Sequence, residues 1–179
     1  MSALSSIYGL SAEFLEKEDI LQAARRAYQE GYRRMDAYTP FPIEELAPAL
    51  GSTWTAVPII TLVGGTIWGL GGFFMEWYSM AIDYPINVGG RPFMSWPSYI
   101  PVMFEMTILG AALSAVIAMI ALNRLPQPYH SVFNAVHFER ASQDRFFLCI
   151  EAVDPKFDLE ATRKFLQDLR PVNVAEVNL

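Results

Sequence analysis

Two apolar stretches limit what this chain can fold into. Residues 53–75 run 23 positions without a charged side chain, and residues 106–123 run 18 more directly after the lone Glu105. A bilayer core of about 30 Å needs about 20 apolar residues in a helix, so each stretch predicts a span. A helix satisfies its own backbone hydrogen bonds, which lets it cross lipid. With 53% of its 179 residues hydrophobic, the chain exceeds the usual soluble composition and fits a membrane part beside a modest water-soluble part.

Charge places the ends. Residues 1–6 lack the basic and apolar regions of a signal peptide, so the first segment is expected to stay where it was made. Two spans return the C-terminus to the same side. Arg91 is the one base between the spans, whereas Arg33 and Arg34 precede them and Arg124, Arg140 and Arg145 follow. This positive-inside pattern predicts two cytoplasmic termini. The formal net charge is -6 and there is no basic tract, which argues against nucleic acid as a partner.

Either side of the spans the pattern repeats. Residues 6–14 read as a strand, 16–30 as a helix with Ile20, Leu21, Ala24, Ala27 and Tyr28 on one face, and 34–38 as a second strand. Gly31 is placed to end that helix. Residues 43–50 read as a short amphipathic turn leading into the membrane. After the spans, 125–130 reads as a stiff linker and 131–143 shows no strong period. Residues 145–152 read as a strand, 159–169 as a helix capped by Asp158, and 172–177 as the last strand.

Each βαβ half is too small to bury a core alone, so the two are expected to form one domain. The predicted class is an α+β membrane protein, with a two-helix transmembrane hairpin inserted into a ferredoxin-like split-βαβ cytoplasmic domain. Residues 1–52 form the first half and lead-in. Residues 53–123 form the hairpin, with spans of about 55–78 and 99–123 and an outer loop over 82–98. Residues 124–179 form the linker and second half. Trp54, Trp77, Tyr78, Tyr84, Phe93, Trp96 and Tyr99 read as an aromatic belt.

Small residues crowd both spans: Gly64, Gly65, Gly69, Gly71 and Gly72 in the first, and Gly110, Ser114 and Ala118 in the second. Such stripes let helix backbones approach closely. At 100° per residue Glu76 lies within about 20° of Gly65 and Gly69, on the packing face, while Glu105 lies about 180° from Ser114. If that stripe meets the first span, Glu105 points away and something else must cover it. Two readings of these acids stand side by side. They carry protons along a path, or they are interfacial caps bonded to loop amides, indoles or Arg91. Their closeness to the aromatic belt favours the second.

No haem-attachment motif, iron–sulfur cysteine set or nucleotide-binding glycine loop is present. Cys149, the one cysteine, reads as a small buried hydrophobe. His130 and His137 lack a carboxylate-rich or cysteine-rich frame, so linker hydrogen bonding or subunit contact fits them better than metal or haem ligation. No catalytic, cofactor-binding or metal-binding residue is assigned. Glu76 and Glu105 are the candidate proton-path or interface acids.

The blocks Gly31-Tyr-Arg-Arg-Met-Asp-Ala-Tyr-Thr-Pro-Phe-Pro42, Ile82-Asp-Tyr-Pro-Ile-Asn-Val-Gly-Gly-Arg-Pro92 and Arg145-Phe-Phe-Leu-Cys-Ile-Glu151 resemble the D subunit of bacterial alternative complex III, as does Leu125-Pro-Gln-Pro-Tyr-His130 with Phe133 and Asn134. The resemblance implies an accessory, cofactor-free subunit of a bacterial inner-membrane complex that oxidises quinol and passes electrons to a cytochrome c or copper protein. It places c-type haems, iron–sulfur clusters and quinol in partner subunits, the last in large multi-span ones. The residues alone also leave open a small ligand-sensing or regulatory membrane protein, or a transporter accessory subunit.

Overall fold

The computed structural model describes residues 7–52, 54–87 and 89–179. The expectations for residues 1–6, for Thr53 at the head of the first apolar stretch and for Val88 in the outer loop lie outside these. The chain forms two compact units: the described part of Met1–Thr53 together with Pro128–Leu179, and Trp54–Gln127.

The first unit is built around β1 (Ile7–Phe14), which is buried along nearly its whole length. It follows that both faces of this strand are covered and both edges are paired. β2 (Met35–Tyr38), β3 (Phe146–Glu151) and β4 (Asn173–Asn178) complete a four-stranded sheet in the order β2-β3-β1-β4, with every neighbouring pair antiparallel. Ser11 stands opposite Cys149 on β3 and Ala175 on β4, which fixes the register. A one-residue slip would turn Leu10, Ala12 and Phe14 out of the core.

Those three residues, with Phe146, Leu148 and Ile150, face α1 (Lys17–Glu30) and α5 (Leu159–Asp168). Ile20, Ala23, Ala24 and Ala27 form the buried stripe of α1, whose alanines let the helix lie close to the sheet. Tyr28, expected on that stripe, is exposed and lies under the Arg33 guanidinium at 4.1 Å. Gly31 ends α1 at φ 104, where a Cβ would be strained. Asp158 caps α5, its carboxylate accepting from the Ala161 N–H at 2.8 Å.

The opposite sheet face is covered as well. Short 3-10 turns at Ser131–Asn134 and Phe138–Ser142 lay Val132, Ala135, Phe138 and Ala141 over Phe147, Cys149 and Val177. The stretch over 131–143 lacked a helical or strand period because 3-10 turns this short have neither.

Asp154 clasps the two halves. It accepts from the backbone N–H groups of Arg33 at 2.6 Å, Arg34 at 2.7 Å and Lys156 at 2.8 Å. Burial alone would raise its carboxyl, but the donors of Arg34, Arg33 and Lys156 outweigh it and hold the group below the usual carboxylate range. Beside it Tyr32 Oη and Thr162 Oγ1 share a buried hydrogen bond at 3.0 Å, and Lys156 pairs with Glu30.

In the second unit α3 (Val57–Tyr78) and α4 (Ile100–Leu122) lie side by side, each entered through a proline in its first turn. A 4-residue helix, α2 (Leu46–Ala49), belongs to the first unit and precedes them in the chain. The small stripes meet each other. Gly64 lies against Ser114, Gly65 against Ala111 and Thr107, and Gly72 against Met106. A Cβ on Gly110 would fall 2.3 Å from Trp68 Cγ, so glycine is required there. Thr61, Thr66 and Thr107 hydroxyls donate to carbonyls four residues back, which satisfies these three within their own helices. Away from the seam Leu62, Ile67, Leu70, Ile108 and Ile117 are exposed, the distribution of helices that meet lipid or other helices.

Candidate functional site

The two acids singled out from the sequence lie at one end of this hairpin. There α3 continues into a π-helical turn, Ser79–Asp83, and α4 is preceded by a 3-10 turn, Trp96–Tyr99. The outer segment expected over 82–98 is therefore helical at both ends. Extended in this way, the two helices that are long and apolar enough to cross a membrane run over Val57–Asp83 and Trp96–Leu122.

Tyr99 organises the connection. It was expected in the aromatic belt, yet it is fully buried, because its hydroxyl donates to the Phe93 carbonyl at 2.9 Å and its ring packs edge-on against Phe73 at 5.7 Å. Trp54, Tyr84 and Trp96 are exposed, as belt residues are. Arg91 donates to Ser98 Oγ and to Met80 Sδ, tying the loop to both helical ends. Together with Met80, Tyr84, Ile86, Pro92 and Phe93 it lines a cavity of about 210 Å³.

Glu76 is half-buried on the seam side of α3, as its angular position required, and its Oε2 is buried with no hydrogen-bond partner among the described residues. Glu105 is exposed on α4, away from the seam. The described hydrogen bonds of Arg91 go to Ser98 and Met80 rather than to either acid. The apolar groove lined by Thr61, Leu62, Gly65, Thr107 and Ala111 carries no titratable group.

The histidines fall in the first unit. His130 Nδ1 accepts from the Val132 N–H at 3.2 Å, so the ring proton is assigned to Nε2, which faces Tyr8 Oη at 3.4 Å. Tyr8 in turn donates to Glu151 at 2.9 Å. This chain joins the linker to the ends of the two central strands and was invisible in the sequence, since its members are 122 and 143 positions apart. Burial, then the Glu151 bond, pushes the Tyr8 phenol well above its ordinary range, and burial followed by the Glu151 charge raises Asp36. His137 has left-handed backbone and its Nδ1 lies 3.8 Å from Glu139. Burial pushes the Cys149 thiol up to about 12, the state of a packing residue rather than a nucleophile. Among the described residues no three His, Cys, Asp or Glu side chains converge where they could hold a metal ion.

A pair of packed helices, each long and apolar enough to cross a membrane, together with an α+β unit defines a membrane-associated protein. The family of the alternative complex III ActD subunit matches residues 8–176, nearly the whole chain, and the protein belongs to that family. It is therefore a subunit of a respiratory quinol oxidoreductase, a hetero-oligomeric membrane complex. No curated protein matches the chain.

Proposed function

We propose that the protein is a non-catalytic scaffold subunit of this quinol-oxidising complex. Its hairpin packs beside a larger quinol-binding subunit, while its α+β unit is a ferredoxin-like split-βαβ domain on the cytoplasmic face of the bacterial inner membrane. The strand order β2-β3-β1-β4 with both helices on one face supports the domain reading. The positive-inside charge pattern supports cytoplasmic termini. The c-type haems, iron–sulfur clusters and quinol then belong to partner subunits, from which electrons reach a cytochrome c or copper protein. Glu76 and Glu105 contribute at most a minor part of proton movement.

The observation that carries the reading is the contrast at the hairpin. Its outward face is apolar, and among the described residues its acids have no hydrogen-bond partner and nothing at its outer end brings together a nucleophile, a base and an electrophile-binding group. The test is the complex purified from cells with and without this chain, compared by haem content and by quinol turnover per haem. A scaffold gives less assembled complex with turnover per haem preserved. Full assembly and haem content with turnover abolished would overturn it in favour of a direct catalytic part.

A further inference from the structure

We infer that the Glu105 face of α4 is a docking surface for a transmembrane helix of another subunit, one that presents a basic side chain to the Glu105 carboxylate. The inference rests on the reading that the hairpin packs against another subunit's spans, and adds which face does so and by what chemistry.

Glu105 is five residues into α4, about 7.5 Å along the axis from Ile100. It is exposed, and the nearest positions on its own helix face, Pro101, Val102, Ile108 and Leu109, are apolar. A glutamate has a shorter stem than lysine or arginine with which to reach the interface. A carboxylate facing hydrocarbon is expensive, and such groups pair or face a protein interior.

The hairpin cannot supply the complement itself. Between Trp54 and Gln127 its only bases are Arg91 and Arg124. Arg91 donates to Ser98 and Met80. Arg124 follows Glu105 by 19 positions, about 29 Å away at helical rise. The seam cannot cover Glu105 either, because Thr107, Gly110, Ala111 and Ser114 turn the opposite side of α4 to α3. The complement therefore comes from outside the hairpin, and within a bilayer a helix is the element that can carry it.

The experiment uses the intact complex in mild detergent. A photo-crosslinking residue is placed at Ile108 or Leu109, beside Glu105, and for comparison at Leu62 or Leu70 on α3; Glu105→Gln and Glu105→Lys are made separately. The expected result is a protein adduct from positions 108 and 109, and at least a tenfold loss of co-purifying haem subunits with both variants, because each leaves the partner's base buried without a counter-charge. Lipid adducts alone at 108 and 109 overturn the proposal. So does unchanged assembly of Glu105→Gln, which would mean a neutral or water-facing neighbour. If positions 62 and 70 give protein adducts while 108 and 109 give lipid, the hairpin still has a partner and only this face is wrong.

Discussion

The two units treat charge in opposite ways. In the α+β unit two acids drawn away from water, Asp154 and Glu13, have partners in the same unit. Asp154 has three backbone donors, and buried Glu13 lies 3.4 Å from the Arg145 guanidinium across the far face of the sheet. In the hairpin, Glu76 and Glu105 find none among the described residues, although they sit where a charge is harder to carry. The first unit is closed upon itself, and the second is half of something. Charge in a span is covered by a protein interior, a water-filled cavity or a counter-charge, and in a multi-subunit complex a neighbouring chain can supply each.

If the first unit is closed, its stability depends on its own core and clasp. Leu148→Ala, in the middle of the sheet, is expected to cost about 2–5 kcal/mol, read as a lower Tm of the detergent-solubilised chain. A shift confined to the hairpin transition would break the comparison. Asp154→Ala strands the Arg33, Arg34 and Lys156 N–H groups, with an expected loss of about 3 kcal/mol. The sign of its pH dependence follows from the depressed carboxyl. The clasp's contribution is full above the ordinary carboxylate pKa of about 3.9 and falls away as acid titrates the folded group, so the variant and parent should converge at low pH.

The hairpin should respond to shape rather than charge. Gly110→Ala drives a methyl into Trp68 and is expected to cost about 1–3 kcal/mol, while Gly71→Ala, whose Cβ would meet nothing within 4 Å, should be nearly neutral. Equal effects at the two glycines, measured by thermal unfolding in detergent, would dissolve the assigned seam. Among the substitutions expected to destabilise, the smallest effect is that of Tyr99→Phe. Loss of the bond to the Phe93 carbonyl costs about 1 kcal/mol, and should appear as faster amide exchange across the outer segment with the spans unchanged.

How much of this was legible depends on how local each cause is. Strands and helices followed from periodicities within a few residues: the strand read at 145–152 forms Phe146–Glu151, the helix at 159–169 forms Leu159–Asp168, and both apolar stretches are long helices. The direction of Glu105 was legible too, since a helix fixes azimuth by counting. What the pattern missed depends on distant groups. Tyr99 looked like a belt residue because nothing within its own turn announces a bond to the Phe93 carbonyl. The Asp154 clasp joins positions 120 and 121 apart, and the His130–Tyr8–Glu151 chain spans the same gap between halves. The turns over 131–142 carry the three-residue repeat of 3-10 helix for too short a run to stand out.

The strand order also constrains how the molecule comes into being. β1 and β2 precede the hairpin in the chain, yet they do not pair with each other; every strand partner either of them has, β3 or β4, lies beyond it. A ribosome adding 5–20 residues per second takes on the order of ten seconds to travel from Phe14 to Phe146. During that interval both strands wait with open edges while the two apolar helices are threaded. The sheet closes only when an even number of crossings has returned the chain to the side where β1 is waiting. Completion of the sheet thus ties the fold of the first unit to the parity of the crossings: a chain left after a single crossing could not bring β3 and β4 to β1.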